Sequence, residues 1–258
     1  MNKKIFGILA IFLVIAIGIS SSFVFAKNNK NTDIPEIDGT YDVPGHPELK
    51  VRVFVHKVKP GNPVTPTPSL QCGLDDPDSL AVVDKELWKL PANFIYNLNL
   101  KNVPALVGSG NWPIIAENSF NVWENAIQNK ANVSRGNNTT VSRQGLDGKN
   151  IVAWGSASSS TLGVTYIWYY PDTMEVVELD TILNTKFVWT WSGISTCAYA
   201  NSYDSQNILT HEIGHWFGLD DHYTADYANN TMYGYGFKMD AKGDTLTSGD
   251  INGVIRIY

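Results

Sequence analysis

Basic residues are scarce in this sequence. Its 258 residues include 19 lysines and arginines against 25 aspartates and glutamates, which gives a formal net charge of -6 at pH 7. Nucleic acids are bound by surfaces rich in positive charge, so this balance argues against a nucleic-acid partner. The sequence also lacks the glycine-rich loop that cradles phosphate groups, and no motif in it predicts a nucleotide ligand.

Histidine is also rare, and its distribution is uneven. The sequence has 5 histidines, and three of them, His211, His215 and His222, fall within the short stretch 211–222. The other two, His46 and His56, lie near the N-terminus. Imidazoles that are clustered next to carboxylates are typical of a metal site.

The spacing of this cluster predicts a hydrolytic zinc site. On a helix, His211 and His215 lie one turn apart on the same face, where both ring nitrogens can reach one ion. Glu212 follows the first histidine and projects about 100° around the helix axis from it. Its carboxylate can therefore hydrogen-bond a water at the metal without being a ligand. This is the position of a general base.

A turn after the helix predicts a third ligand. Gly218 follows soon after the second histidine, and glycine can leave a helix through a left-handed conformation. The chain can then return to the metal with Asp221 or, if the turn shifts by one residue, with His222. Asp220 is more simply interpreted as a solvated or helix-terminal carboxylate.

The pattern from His211 to Asp221 resembles the signature of the metzincin clan of zinc peptidases, specifically the matrixins and their smaller prokaryotic relatives. In these families the last position is histidine or, in some members, aspartate. Asn230–Gly234, which contain Met232, resemble the methionine-containing turn that lies beneath the zinc in this clan. The resemblance is strong over residues 203–258 and weaker between about residue 90 and residue 202.

This resemblance implies an α+β catalytic domain with a metzincin-like architecture. A twisted mixed sheet would pack on helices, including the zinc-binding helix, and a small C-terminal part would carry the Met-turn and a terminal helix. One catalytic zinc ion would be held by His211, His215 and Asp221, with His222 as the alternative third ligand, and Glu212 would be the base.

The same resemblance bears on other ligands. The substrate would be a protein or peptide that adds an extended strand to a sheet edge, here near residues 162–169. The catalytic domain has too few histidines for the additional structural zinc site of vertebrate matrixins. The sequence does not decide whether calcium also binds. Asp147, Asp172 and Asp180 could supply oxygen ligands, although isolated acids in loops are more often solvated.

The N-terminus predicts export from the cell. Lys3 and Lys4 precede an uncharged apolar run, and small residues lie just ahead of a polar stretch. These features are typical of a secretory signal peptide, here residues 1–26 with cleavage after Ala26. The mature protein would be extracellular and have no membrane contact. The alternative is an uncleaved membrane anchor, because the uncharged run is long enough to span a bilayer.

Export changes the interpretation of the two cysteines, Cys72 and Cys197. In an oxidising compartment they could form a disulfide between the segment before the catalytic domain and the loop before the zinc helix. Alternatively, Gln71–Asp75 faintly resemble the cysteine switch of matrixin propeptides, in which a thiolate on the zinc keeps the enzyme latent. The arginine before the cysteine and the proline after the glycine are missing here.

Composition divides the rest of the chain. The stretch Pro60–Pro68 is rich in proline and threonine and cannot form a helix or a central strand. We interpret residues 27–75 as a propeptide or spacer that contains one isolated strand around Val51–Val55. Residues 76–258 are long enough for a single core and are assigned to the zinc metallopeptidase domain.

Periodicity predicts the secondary structure of this domain, with sheet and helices ahead of the zinc helix in an α+β order. A short terminal helix capped by Thr247 and Asp250 would end the chain. The expected strands are Phe94–Leu98, a strand around Ile151–Trp154, and a hairpin of Gly163–Tyr170 and Met174–Leu183, and an amphipathic helix is expected from Ile114 to Lys130.

The sequence thus predicts a secreted zinc-dependent endopeptidase with Glu212 as general base. One alternative is a non-catalytic secreted binding module that keeps the fold, and another is a zinc hydrolase that acts on a non-peptide amide. The presence of Glu212 argues against the binding module, because a purely structural zinc needs no base and is normally closed by four protein ligands. The sequence leaves the oligomeric state open.

Overall fold

A mixed sheet of eight strands and three α-helices build the part of the chain that the computed structural model describes, residues 34–59, 67–86 and 88–258. The predicted α+β class is confirmed. The signal peptide predicted at residues 1–26 lies outside the described residues. Among the described residues, no helix combines the length and the apolar character needed to cross a bilayer.

Strands make up most of the regular elements in the described chain, and the helices are interspersed among them. The strands are β1 Gly39–Val43, β2 His46–Val58, β3 Leu70–Cys72, β4 Asn93–Leu98, β5 Asn132–Arg135, β6 Ile151–Gly155, β7 Thr161–Tyr170, β8 Glu175–Asn184, β9 Trp189–Thr190, β10 Cys197–Tyr199, β11 Tyr203–Asp204 and β12 Tyr235–Gly236. The α-helices are α1 Trp112–Ala126, α2 Ser205–Trp216 and α3 Ser248–Ile255.

The main sheet has the strand order β1-β2-β7-β8-β6-β4-β5, and β12 pairs with β2. The predicted hairpin is confirmed, since β7 and β8 pair antiparallel. β8, β6, β4 and β5 run parallel to their neighbours in this order. Helices α1 and α2 pack against each other, and apolar side chains from α1, α2, β4, β7 and β8 contribute to one buried cluster.

The predicted helix after β4 is present as α1, but its predicted end at Lys130 is wrong. The helix ends at Ala126 because Gln128 and Asn129 adopt left-handed backbone angles, with φ of 55° and 57°. Residues in this conformation cannot continue a right-handed helix. The helical spacing of the apolar residues did not reveal this boundary.

The strand predicted around Val51–Val55 lies within β2, but it is not isolated. β2 pairs with β1 on one side and with β7 on the other. Val51, Val53 and Val55 are buried in a second apolar cluster, together with Val164 and other residues of the sheet face that points away from α2. Because of this packing, residues 34–58 belong to the same compact unit as the rest of the described chain.

The prediction that residues 162–169 form a free sheet edge is wrong. β7 lies inside the sheet, between β2 and β8. The physical reason is that β2, which is far away in sequence, donates and accepts the hydrogen bonds that an edge strand would leave unpaired. The aromatic side chains of Tyr166 and Trp168 pack in the second apolar cluster, as expected for hairpin packing.

Cys72 and Cys197 form a disulfide, so the predicted bridge is confirmed and Cys72 has no free thiol for the alternative cysteine switch. The bond joins β3 to β10, which also pair with each other, and closes a loop with a sequence separation of 125. A crosslink over such a long loop restricts the unfolded chain strongly.

Replacing both cysteines with alanine is therefore expected to lower the free energy of unfolding by about 2–5 kcal/mol. Urea denaturation followed by tryptophan fluorescence measures this change. Gln71→Ala, an exposed neighbour on β3, is the matched control and should leave the unfolding midpoint nearly unchanged. An equal midpoint for the double variant and the native protein would show that the crosslink contributes no stability.

Candidate metal centre

Helix α2 carries the first three candidate residues and is anchored at its start. The side chain of Asp204 is the N-cap and accepts hydrogen bonds from the backbone N–H groups of Gln206 and Asn207, at 2.8 Å and 3.1 Å. Such caps satisfy the free amides of the first turn and stabilise the helix. All residues of α2 are buried, and this fixes the directions of His211, Glu212 and His215.

Gly218 makes the turn that the sequence predicted. Its φ of +92° lies in the region that favours glycine, and a Cβ atom here would lie 2.5 Å from the carbonyl oxygen of Trp88. The chain reverses at this point, and the side chain of Asp221 returns to the helix. Both the backbone angle and the close contact with Trp88 therefore require glycine at position 218.

The structure brings His211, His215 and Asp221 together. Asp221 Oδ1 lies 3.1 Å from His211 Nε2 and 3.7 Å from His215 Nε2. The other ring nitrogens, the two Nδ1 atoms, lie 2.8 Å from the carbonyl oxygen of Thr231 and 2.9 Å from that of Leu219. Because a carbonyl can only accept, each Nδ1 carries the proton, and each Nε2 is left with a free lone pair when the ring is neutral.

These three side chains fit a tetrahedral zinc site. Ligand atoms at the usual distances from zinc are about 3.3 Å apart, and the two observed separations lie close to this value. His211 Nε2, His215 Nε2 and Asp221 Oδ1 are buried and have no conventional hydrogen-bond partner. Buried polar atoms without partners are costly, and a shared cation would satisfy all three.

The carboxylate and the two imidazoles of this group shift one another's pKa values. Burial opposes the ionisation of Asp221, but the two neighbouring imidazoles outweigh it and hold the pKa of the carboxyl well below its usual range. Burial lowers the pKa of His215 to about 3. For His211, burial acts in the same direction, but the adjacent carboxylate of Asp221 outweighs it and raises the pKa of this imidazole. A negative carboxylate between two rings is favourable for cation binding.

His222 and Asp220 are directed away from this group. His222 Nε2 accepts a hydrogen bond of 2.9 Å from the backbone N–H of Asp84, and its ring stacks on Tyr227. Asp220 Oδ1 accepts from Arg52 at 3.3 Å and from the backbone N–H of Asp221. Neither belongs to a metal-binding group among the described residues. The side chain of His222, the alternative third ligand, is therefore not in contact with the group formed by His211, His215 and Asp221.

Glu212 is held by a relay of hydrogen bonds that the sequence did not reveal. Thr165 donates to Glu212 Oε2 at 2.6 Å, Thr181 and Thr165 are 2.7 Å apart, and Trp216 Nε1 donates to Thr181 at 2.9 Å. Since Thr165 gives its proton to the carboxylate, Thr181 must donate to Thr165. Glu212 Oε1 has no partner, and burial raises the pKa of this carboxyl to about 7.

Met232 packs beneath the helix between the two histidines, at Gly214. A Cβ atom on Gly214 would lie 2.2 Å from the Met232 sulfur and 2.8 Å from the indole of Trp123. Met232 is fully buried, and the neighbouring Thr231 supplies the carbonyl oxygen that accepts from His211. The loop that was predicted as a Met-turn therefore orients a candidate ligand directly.

Strand β2 covers the site. No pattern in the sequence predicted this covering. The ring of Phe54 stacks on that of His215 with centroids 3.8 Å apart, and the ring of His56 lies 3.7 Å from that of His211. His56 Nδ1 is 3.7 Å from Glu212 Oε1. The exposed fraction of the Glu212 residue is 0%, so the site is closed to solvent.

The three aspartates considered for calcium are dispersed. Asp180 is buried rather than solvated, and its two oxygens accept from the backbone N–H groups of Gly145 and Ile151. Asp172 is exposed in the β7–β8 turn, and Asp147 is also exposed and accepts a hydrogen bond from the backbone N–H of Lys149. No group of metal ligands among the described residues includes any of them.

Two sequence comparisons found no relative of this chain. No protein-family model matches it, and a search of curated proteins finds no similar sequence.

Proposed function

We propose that this protein is a zinc-dependent endopeptidase that resembles the prokaryotic matrixin-like members of the metzincin clan. The observation that carries the proposal is the convergence of three buried, unpartnered ligand atoms, from His211, His215 and Asp221, next to the carboxylate of Glu212. The Gly218 turn, Met232 beneath α2 and the capped helix α3 agree with the metzincin-like arrangement.

His211, His215 and Asp221 would hold the zinc ion. When bound, zinc supplies a Lewis acid that polarises the scissile carbonyl and makes water more acidic. Glu212 takes a proton from the attacking water and holds it on Oε1, the oxygen without a hydrogen-bond partner. The water oxygen bonds to the carbonyl carbon, the C–N bond breaks, and Glu212 gives the proton to the leaving amine.

Two sets of contacts would keep this geometry during turnover. Thr165 holds Glu212 Oε2 in place, so that only Oε1 is free to exchange protons. The carbonyl oxygens of Thr231 and Leu219 fix the tautomers of the two histidines, as partners of metal-bound imidazoles usually do. The base and the ligands are therefore oriented before a substrate arrives.

A non-catalytic module with a structural zinc is the second candidate function. The observation that favours it is the complete burial of the site under β2. Glu212 argues against it, because a structural site is normally closed by four protein ligands and has no use for a buried base. A zinc hydrolase of a non-peptide amide would use the same chemistry, and nothing specific favours it.

Secretion also stays a proposal, since residues 1–26 lie outside the described structure. The disulfide between Cys72 and Cys197 supports it, because such bonds persist in oxidising compartments. Partners other than a protein or peptide substrate have no support from the described residues.

The test of the proposal is hydrolysis that depends on zinc. Because β2 covers the site, the assay compares the intact chain with a cut chain, in which residues 61–65 are replaced by the recognition sequence of a site-specific protease and then cleaved. Cutting separates the hairpin formed by β1 and β2 from the rest of the chain and so lowers its effective concentration at the site. An unfolded protein is the substrate, and mass spectrometry identifies the products.

We expect one zinc per chain, new peptides from the cut chain when zinc is present, and none after zinc is removed with a chelator. Restoring zinc should restore hydrolysis. In heavy-oxygen water the new C-termini should carry the label, because water attacks the carbonyl carbon. If a cut chain with one bound zinc and a site open to small chelators produces no peptides, the endopeptidase proposal is wrong and a binding module is favoured.

A further inference from the structure

β2 occupies the backbone groups of β7 with which an added peptide strand would pair. Antiparallel pairing joins β2 to β7 from Lys50, opposite Tyr169, to Lys57, opposite Thr161. Thr165 of β7 donates a hydrogen bond to the carboxylate of Glu212 on α2, so β7 runs beside the candidate base. An added peptide strand would use the same backbone groups of β7. β2 and a bound peptide therefore exclude each other.

The side chains of β2 divide by face. Val51, Val53 and Val55 point into the second apolar cluster, on the side of the sheet away from α2. Phe54 and His56 point toward the site, where they cover the two candidate metal histidines. Alternation along a strand produces this division. One face thus anchors the strand, and the other closes the centre.

Arg52 extends the second face and pairs with carboxylates outside the hairpin formed by β1 and β2. Its guanidinium lies 3.3 Å from both Glu86 Oε1 and Asp220 Oδ1, and it also pairs with Asp38. It stacks over the ring of Phe54 at 4.0 Å, and only 11% of its side chain is exposed. Glu86 and Asp220 form an acidic recess beside the metal ligands that receives a basic side chain.

We propose that the hairpin of β1 and β2 is a built-in pseudosubstrate that keeps the site closed. β2 occupies the peptide-binding edge of β7, and Arg52, Phe54 and His56 occupy the positions of substrate side chains. The inference rests on the proposed function, since a pseudosubstrate inhibits only a site that acts on peptides. No cysteine is required for this closure, because Cys72 is bound to Cys197.

The pseudosubstrate also identifies a class of substrate. A peptide that replaces β2 meets the acidic recess of Glu86 and Asp220 with one side chain, and meets the ring of His215 with the side chain two residues later. The recess matches a lysine or arginine, and the imidazole matches an aromatic ring. Extended peptides with a basic residue two positions before an aromatic residue are therefore the expected substrates.

Closure is tested on the intact, zinc-loaded chain by the rate at which zinc passes to a chelator. Phe54→Ala combined with His56→Ala removes both covering rings, and zinc transfer should become about tenfold faster or more, because less local opening is needed. His56→Phe keeps a ring over His211 and should stay slow. Lys57→Ala changes the exposed next residue and is the neighbour control.

The charge on β2 gives a second test that keeps its buried rings. Arg52→Glu places a carboxylate beside Glu86 and Asp220 and should speed zinc transfer about tenfold, since like charges oppose docking. Lys50→Glu is the matched control, because the partner of Lys50 is Asp42 within the hairpin. It should leave the rate within about twofold of the native value.

The outcomes separate closure from catalysis. Zinc transfer that is equally fast in the native chain, Arg52→Glu and the double alanine variant would overturn closure by β2. Faster transfer together with new hydrolysis supports the pseudosubstrate. Faster transfer without hydrolysis, in variants that retain zinc when no chelator is present, contradicts the endopeptidase proposal and leaves β2 as a cover only.

Peptide preference tests the remaining part of the inference on the cut chain. A peptide with the sequence Lys50–Val58 and its variant with glutamate at the Arg52 position are compared as inhibitors of hydrolysis. The unchanged peptide should inhibit at about tenfold lower concentration. The matched peptide with glutamate at the Lys50 position should inhibit like the unchanged one. Equal inhibition by all three peptides would overturn the assignment of the acidic recess.

Discussion

Asp221→Ala is expected to lower the affinity for zinc by more than about hundredfold, because loss of an outer-shell partner alone costs about 10–100-fold and Asp221 is placed as a direct ligand. The variant removes the negative charge that lies 3.1 Å from His211 Nε2 and 3.7 Å from His215 Nε2. The remaining two imidazoles would hold the ion with less charge and fewer bonds. Competition with a fluorescent zinc chelator measures the affinity.

Three further substitutions make this result specific to Asp221. Asp221→His replaces the carboxylate with a third imidazole and should keep much of the affinity, since three-histidine zinc sites are competent. Asp220→Ala and His222→Ala change the adjacent residues, whose side chains bind Arg52 and the backbone of Asp84. Both should retain zinc. Strong loss in His222→Ala together with normal binding by Asp221→Ala would reverse the assignment of the third ligand.

The sequence was informative where the site is local. His211, Glu212, His215, Gly218 and Asp221 lie within eleven residues of one another (211–221), so helix periodicity and one glycine turn determine their relative positions. The same reasoning predicted the capping box of α3, in which Thr247 and Asp250 bind each other's backbone. Short spacings transmit geometry well, because few backbone angles separate the residues.

The sequence was uninformative where distant segments meet. Thr165, Thr181 and Trp216 form the relay to Glu212, but no local pattern distinguishes these residues from ordinary strand and helix positions. Their contact depends on the register between β7 and β8 and on the packing of α2 against the sheet. Neither is determined by the periodicity of a single segment.

β2 shows the same limit more clearly. The alternation of Val51, Val53 and Val55 predicted a strand, yet the pattern contains no information about its partner. The prediction of a free edge at β7 was wrong because the covering strand lies more than a hundred residues earlier in the chain. His56 was interpreted as a spacer residue for the same reason. Strand pairing over this distance is a property of the whole fold.

Glu212→Gln in the cut chain is expected to slow peptide hydrolysis by at least about 10²–10⁴-fold, which is the usual contribution of a positioned general base. Glutamine has the same shape, and its carbonyl oxygen can still accept from Thr165. It cannot take a proton from water near neutral pH. The zinc affinity should fall by only a few fold, because the proposed zinc ligands are His211, His215 and Asp221, and Glu212 belongs to a different group of possible ligands, with His56 and His211.

Initial rates and zinc content are measured on the same samples, with Glu117→Gln, an exposed residue on α1, as the matched control. Loss of hydrolysis while zinc stays bound supports the role of base. A variant that hydrolyses peptides within about tenfold of the native rate would show that another group accepts the proton. Loss of zinc together with activity would instead place Glu212 among the ligands.

The stability of the zinc-free protein gives an independent test of the role of Glu212. Burial raises the pKa of Glu212 from 4.5 to about 7, so ionisation of this carboxyl destabilises the folded state as the pH rises through that interval. Glutamine cannot ionise and avoids the penalty. Without zinc, Glu212→Gln should therefore unfold at a higher urea concentration than the native chain at pH 8, and the difference should shrink toward pH 5. Stability and catalysis thus respond in opposite directions to one substitution, as expected for a buried base that is maintained for its chemistry.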